Sequence, residues 1–349
     1  MTRIRTFHPA WGAVTMTLGG FALLSLLDPW PGSTVDDTIG AVVLGLTLLV
    51  AIATSVVFIV RVIAHREHFA SDLANPAMGA MTAAWPASLL IAALAVLQAG
   101  IVGLMPAPVS LWVAGVLGVP GLVGTLIAGV AFYTRVIGSS DVPVQAISGN
   151  WFVPVVPLVL VPSIAVRCEA LGAPADGASL AFAATVAWGI GFGLFLLLAA
   201  IIGGRLITAV PPAPHAAPTW WLWLAPIGAG GLGAISISRM NAVAATWPDV
   251  THAATLFSTL LWGFGVWWLV FASIVVFRQR RELQFGITFW GFGFPSAALI
   301  ALTVELAKQW QSTLLSLGAT ATWLAALVGL VALTGYTLAH VRGGRIFSR

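Results

Sequence analysis

Trp290-Gly-Phe-Gly-Phe294-Pro295 stands inside an apolar run, 286–307, with a large aromatic residue immediately before a proline. A proline within a helix removes one backbone N–H and here leaves the carbonyl of Gly291 without its partner. A helix across this run must therefore bend beside Phe294, with Gly291, Gly293 and Pro295 forming the kink. Hydrocarbon offers that carbonyl no donor. Irregular backbone at membrane depth survives where it packs in protein or lines a wet cavity. The stretch therefore reads either as a packing kink or as a pore constriction closed by a bulky ring.

Composition places that run in a membrane. Hydrophobic residues are 59% of the 349, charged residues 7%, and the mean hydropathy is +1.01. A soluble domain carries about 25% charged residues, so this is a polytopic membrane protein. The net charge of +4 is spread thinly over short loops and forms no patch for a nucleic-acid partner. Cys168 is the single cysteine, which excludes an intrachain disulfide and a cysteine-based metal site. Gly228-x-Gly230-x-x-Gly233 matches a dinucleotide fingerprint by letter only, since it sits inside an apolar span with no preceding strand. His65-Arg-Glu-His68 reads as a solvated loop rather than a metal pair. No nucleophile elbow or paired intramembrane carboxylates are visible, so no enzymatic activity, metal or cofactor is expected.

Ten apolar segments approach the length of about 20 residues that a helix needs to span a bilayer core: 9–27, 38–60, 76–97, 110–133, 147–166, 180–202, 219–237, 253–276, 286–307 and 320–339. The basic start at Arg3 and Arg5 followed by an apolar run resembles a signal peptide. That run is as long as a span and has no small-x-small site before Asp28, so it is expected to be retained. Connections are short, which predicts one membrane domain over 1–349. Of the 15 Lys and Arg residues, only Arg167, Arg239 and Lys308 fall on the side away from the termini. The positive-inside rule then puts both termini in the cytoplasm, across the plasma (inner) membrane. Trp30, Trp247 and Trp310 near outer ends, and Trp151, Trp220 and Trp221 near inner ends, suit interfacial belts.

The odd-numbered segments start near Trp11, Pro76, Trp151, Thr219 and Gly286, at spacings of 65, 75, 68 and 67 residues. This repeat predicts an all-α fold of five helical hairpins with quasi-five-fold symmetry. Interior prolines, Pro86, Pro154, Pro157, Pro162, Pro226 and Pro295, fall in odd spans, and the first span carries Gly12, Gly19 and Gly20 instead; only Pro120 interrupts an even one. Bent, glycine-rich odd helices are expected inside, with even helices facing lipid. No charged residue falls in mid-span, which disfavours a side-chain proton relay. Thr15, Gly19, Pro86, Pro157, Pro226 and Ser296 are candidates to line a cavity, although their hydroxyls can equally bond their own helices. Arg167, Arg239 and Lys308 each follow the outer end of an odd span and form a candidate basic mouth that concentrates anions, partly cancelled by Glu169 and Glu305.

Several stretches together resemble the tellurite-resistance and C4-dicarboxylate transporter family. They are Phe7-His-Pro-Ala-Trp11, Thr15-Met-Thr-Leu-Gly-Gly20, Asp72-Leu-Ala-Asn-Pro76, Trp151-Phe-Val-Pro154-Val-Val-Pro157, Ala217-Pro-Thr219, Ala225-Pro-Ile-Gly228 and Trp290-x-x-x-Phe294-Pro295. The family includes bacterial TehA, fungal malate permeases and sulfite efflux proteins, and the plant slow anion channels. Leu18 departs from the small residue expected in the glycine-rich stretch. The resemblance implies ten helices around a central pore, a homotrimer with one pore per protomer, and Phe294 as the occluding residue. The expected function is an anion channel or channel-like permease. A carrier exporting oxyanions or organic acids such as sulfite, tellurite or malate is the second reading, and a scaffolding membrane subunit the third.

Overall fold

The computed structural model describes residues 7–137, 139, 142–208, 218–283 and 285–343. Arg3, Arg5, Ala217, Arg345 and Arg349, which contribute to the topology and motif readings, lie outside them. The elements, in chain order, are α1 (Gly12–Ser25), α2 (Val35–Ala64), the short α3 (Arg66–Ala74), α4 (Ala84–Ile101), α5 (Ala107–Ile137), α6 (Val156–Ala170) and α7 (Gly177–Thr208). After them come the single turn α8 (Pro218–Trp221), α9 (Leu224–Arg239), the short α10 (Asn241–Thr246), α11 (Val250–Gln279), α12 (Gly293–Trp310) and α13 (Thr313–Arg342). Among the described residues, nine helical segments are long and apolar enough to cross a bilayer. The expected first span folds as a 3₁₀ turn, Pro9–Trp11, running into α1, whose 14 residues are all buried.

The helices form two layers. Along α4, α6, α9 and α12, with their lead-in turns, at least 67% of the apolar window is buried; along α2, α5, α7, α11 and α13 the share is at most 33%. The inner helices touch in the order α1, α4, α6, α9, α12 and back to α1, closing a ring, and each outer helix packs on the inner helix of its own hairpin. Apolar residues such as Leu49, Ile63, Ile127, Phe182, Leu260 and Val328 stay exposed on the outer layer. That surface suits lipid, which is as apolar as they are.

Inner-helix contact rests on missing side chains. A Cβ on Gly12 would stand 2.4 Å from the Ala84 carbonyl carbon, one on Gly228 2.4 Å from that of Ala298, and one on Gly233 2.4 Å from the Val159 oxygen. Hydrophobic burial does not drive association within a bilayer, so such close backbone packing supplies the attraction.

The structure corrects the reading of the prolines as mid-helix kinks. Each inner helix is preceded by a short segment, 3₁₀ at Pro9–Trp11, Gly79–Ala83, Gly149–Phe152 and Ile287–Phe292 and the single α-turn α8. The regular helix starts afterwards, and Pro86, Pro157, Pro226 and Pro295 occupy its second or third position. A first-turn residue has no intrahelical acceptor for its N–H, so proline costs nothing there and its fixed φ favours the start. Pro120 and Pro162 remain true interior prolines. The inner tryptophan belt is also corrected. Trp151 and Trp220 are buried, the indole of Trp151 donates to the Pro76 carbonyl, and that of Trp221 donates to Ser296 Oγ. They tie neighbouring lead-in segments together.

Candidate functional site

Two cavities lie along the axis of the inner ring. One, of about 520 Å³, sits at the N-terminal ends of the inner helices and takes residues from all five: Ala13 and Met16, Met81 and Ala84, Asn150 and Val153, Thr219 and Leu222, and Gly291, Phe294 and Pro295. The other, of about 250 Å³, sits at their C-terminal ends and is bordered by Leu23, Gln98, Ser163, Arg167, Ser236, Arg239, Glu305 and Lys308 among others. The cavities share no residue. On α4, α9 and α12, and through the α6 segment, ten positions separate the last residue at one cavity from the first at the other: 84 to 94, 222 to 232, 295 to 305 and 153 to 163. At about 1.5 Å per residue the barrier is roughly 15 Å thick. No ionisable residue lies between the two ends of any of those four stretches or in the corresponding 17–22 of α1.

Phe294 faces the first cavity at the edge of this barrier. Its ring is buried, and a Cβ on Gly20 would lie 3.0 Å from its Cδ2, so α1 leaves a glycine-sized recess against it. The backbone beside it is held by Thr17. The Thr17 hydroxyl donates to the Trp290 carbonyl at 2.9 Å and accepts from the Phe294 N–H at 3.2 Å, bridging the change from 3₁₀ to α geometry. The Phe294 N–H is a donor of the kind that a helix start leaves unpaired, and the Trp290 carbonyl accepts from the Gly293 N–H as well. A Cβ on Gly293 would come 2.1 Å from Thr17 Cγ2, so glycine is required for α1 to reach this junction. Trp290, also at the cavity, donates from its indole to Thr337 of α13. Replacing Thr17 by valine keeps the shape and removes both bonds, leaving the buried Phe294 N–H without this acceptor. The expected cost is about 1–3 kcal/mol, read as a lower midpoint of thermal unfolding in detergent.

The other sequence candidates fall elsewhere. Thr15 faces α2, 3.4 Å from the Thr54 hydroxyl, and Gly19 packs on Ile91 and Thr47. Pro86 lies under Gly124 of α5. Pro157 and Pro226 are buried in first turns and border neither cavity. Ser296, with Phe292 and Gly293, borders a separate groove between α12 and α13. The Ser296 hydroxyl satisfies helix backbone by donating to the Phe292 carbonyl, and Thr303, further along α12, does the same to that of Leu299. Thr17 differs from these two in bonding the backbone of another chain segment.

Arg167, Arg239 and Lys308 converge on the second cavity, each in the last turn of an inner helix, where a cation offsets the negative end of the helix dipole. Arg167 donates from Nε to Gln98 Oε1 at 2.7 Å and from Nη1 to the Ser163 carbonyl at 2.9 Å, while Gln98 donates to the Leu26 carbonyl. Lys308 donates to the Leu27 carbonyl at 2.8 Å. Arg239 and the buried Glu305 form an ion pair at 2.7 Å, off the axis of an aligned hydrogen bond. Glu169 does not join them; it accepts from the Asn241 N–H at the start of α10. Asp28, in the loop after α1, has its carboxyl pushed up by burial, with Lys308 opposing the shift. The cavity thus carries three cations and one paired carboxylate.

The sequence aligns along most of its length with known transport proteins. It is 25% identical to an uncharacterized transporter of Methanocaldococcus jannaschii, over 85% of this chain and 83% of that one. It is 24% identical to a sulfite efflux pump of Arthroderma otae, over 88% and 84%. It is also 22% identical to a malic acid transport protein of Schizosaccharomyces pombe, over 52% and 44%. Residues 6–339 match the voltage-dependent anion channel family, SLAC1. This multi-pass membrane transporter therefore belongs to the SLAC1 family.

Proposed function

We propose that the chain is an anion channel of the plasma membrane, with both termini cytoplasmic and the ring of inner helices as its pathway. Phe294 is the steric and dewetting gate at the edge of the barrier. One observation carries this reading: a cavity fed by all five inner helices ends on the Phe294 ring, and the stretch beyond it holds no ionisable group. An uncharged apolar constriction opposes ion passage by dewetting and opens by side-chain movement, without protonation of the pathway. The cations of the second cavity concentrate small anions at the far side. A homotrimer with one pathway per protomer is part of the same proposal and rests on family resemblance.

The second reading is a carrier for oxyanions or organic acids such as sulfite, tellurite or malate. It is favoured by the names of the fungal relatives and by two cavities that a single barrier keeps apart. Purified protein in liposomes, loaded in turn with chloride, nitrate, sulfite and malate, separates the two. A channel gives efflux that is indifferent to anion on the opposite side. Efflux accelerated by external substrate would establish exchange and displace the channel reading.

A further inference from the structure

Each of the outer helices α2, α5, α7 and α11 packs on the inner helix of its own hairpin and on that of the next. The last outer helix, α13, packs on α12 but leaves the seam to α1 partly open. At the far end the seam is tied: the Trp323 indole donates to Ser25 Oγ at 3.0 Å, and Thr320 donates to the Pro29 carbonyl at 2.6 Å. Towards the terminus side a groove of about 420 Å³ separates α13 from α12 and α1. Its α13 wall runs from Ala326, near the middle of that helix, to Tyr336, ten positions on, which is about 15 Å. The hydrocarbon core is about 30 Å thick, so the groove has the length of one leaflet. Gly329 and Tyr336 on its rim are exposed, and it opens onto the lipid-facing surface.

The lining defines what fits. Phe285, Phe289 and Phe292 form a continuous aromatic wall, with ring centroids 5.3 and 5.6 Å apart. The hydroxyls of Thr17 and Ser296 are both engaged, that of Ser296 donating to the Phe292 carbonyl and accepting from the Trp221 indole. Apart from Tyr336 at its terminus-side end, the groove offers an occupant no free side-chain polar group, which suits a chain of methylenes. That end is basic. Arg278, Arg280 and Arg281 close α11 and open the loop that leads to Leu283 and Phe285 of the wall, and Arg342 closes α13. The His340 ring, two positions before Arg342, lies 4.8 Å from that of Phe285 and joins the two basic ends. All four arginines are exposed, and Glu282 is the one acid in 277–283 and 338–343. Arg280 donates from Nη1 to the Phe277 carbonyl and keeps its other donors on the surface. Basic clusters of this size at the end of a membrane helix attract anionic headgroups.

We propose that the groove binds one anionic phospholipid of the leaflet on the terminus side. Its acyl chain lies between α12, α13 and α1, and its headgroup meets Arg280, Arg281 and Arg342. Thr17 and Gly293 line this groove and not the first cavity, so the bound chain braces the junction beside Phe294 from the lipid side.

The test uses purified full-length protein in detergent, with dioleoyl-phosphatidylglycerol and dioleoyl-phosphatidylcholine as probes. The parent is expected to keep one phosphatidylglycerol per chain in native mass spectrometry. That lipid should raise its unfolding temperature by at least about 3 °C, and phosphatidylcholine by clearly less. A Cβ on Gly329 meets nothing within 4 Å, so Gly329→Phe fills the groove without strain and should lose both the retained lipid and the shift. Gly45→Phe, equally unhindered on the exposed face of α2, should keep both. The triple variant Arg280→Gln, Arg281→Gln, Arg342→Gln should respond alike to the two lipids. It alters exposed side chains only and decides the matter should Gly329→Phe not fold, since a parent-like preference for phosphatidylglycerol would overturn the site. Equal shifts with both lipids in the parent, or parent-like retention in Gly329→Phe, would overturn it too. A parent without bound lipid whose oligomer comes apart in Gly329→Phe would assign the groove to a second copy of the chain, against the proposal. None of these readouts uses ion flux, so they stand or fall separately from the channel reading.

Discussion

Replacing Phe294 by alanine is expected to raise anion efflux per folded protein at least about tenfold, equivalent to removing roughly 1.4 kcal/mol from the barrier. The ring faces a cavity of about 520 Å³ on one side and the Gly20 recess on the other. Truncation therefore extends an existing space into the barrier rather than opening a sealed void. A phenylalanine packed only as core would lose about 3–5 kcal/mol on truncation, and flux would fall with the amount of folded protein. The gate reading requires the opposite sign, with the unfolding temperature close to the parent. Phe292→Ala is the matched control, because Phe292 borders the α12–α13 groove and packs edge-on against Trp221. Efflux from liposomes containing equal folded protein decides it, and a Phe294 variant at or below parent flux would show that the ring is not the gate.

How far the sequence carried this picture depends on the range of each interaction. Membrane class, segment positions and the 65-to-75-residue repeat were legible because they depend on local hydropathy, and the segments lie within several residues of the helices observed. The outer helices overrun their apolar segments because 30 residues at about 1.5 Å each extend past a core of about 30 Å. Proline was misread for a specific reason. Pro86, Pro226 and Pro295 look interior when the span is counted from its first apolar residue, yet the helix begins only two residues before each. The signal lay in the repeated placement, seven to ten residues into four of five odd segments, which marks where the regular helix starts inside each apolar run.

The residues around the junction were hidden for another reason. Thr17 and Gly293 are 276 positions apart, and neither is unusual until the two helices are brought together. Arg205 counted in sequence only as one of many basic residues on the terminus side. Nothing local indicated that its face of α7 is the buried one, because that helix is apolar almost all round. Arg167, Arg239 and Lys308 could be grouped from sequence because all three close an odd segment. Their separate bonds to Gln98, Glu305 and Leu27 could not.

Those bonds decide how the second cavity should be probed. Neutralising Arg167 or Lys308 also breaks hydrogen bonds to neighbouring helices, so lost flux would mix field with damage. Arg239 and Glu305 offer a cleaner pair, since Arg239 is 42% exposed and its partner contact is the carboxylate. If the cavity concentrates anions, Arg239→Gln removes a cation and leaves a bare carboxylate, a change of sign at that point. Flux at about 10 mM salt should fall roughly three- to tenfold, and near 1 M the deficit should almost vanish as the Debye length shrinks from about 30 to about 3 Å. Glu305→Gln frees Arg239 and should raise flux above the parent at low salt. The double variant Arg239→Gln, Glu305→Gln removes equal and opposite charges and should return close to the parent. Loss of flux in the single Arg239 variant that persists at 1 M salt, or is not recovered in the double variant, would mean that the pair holds the helices together and does not set the field.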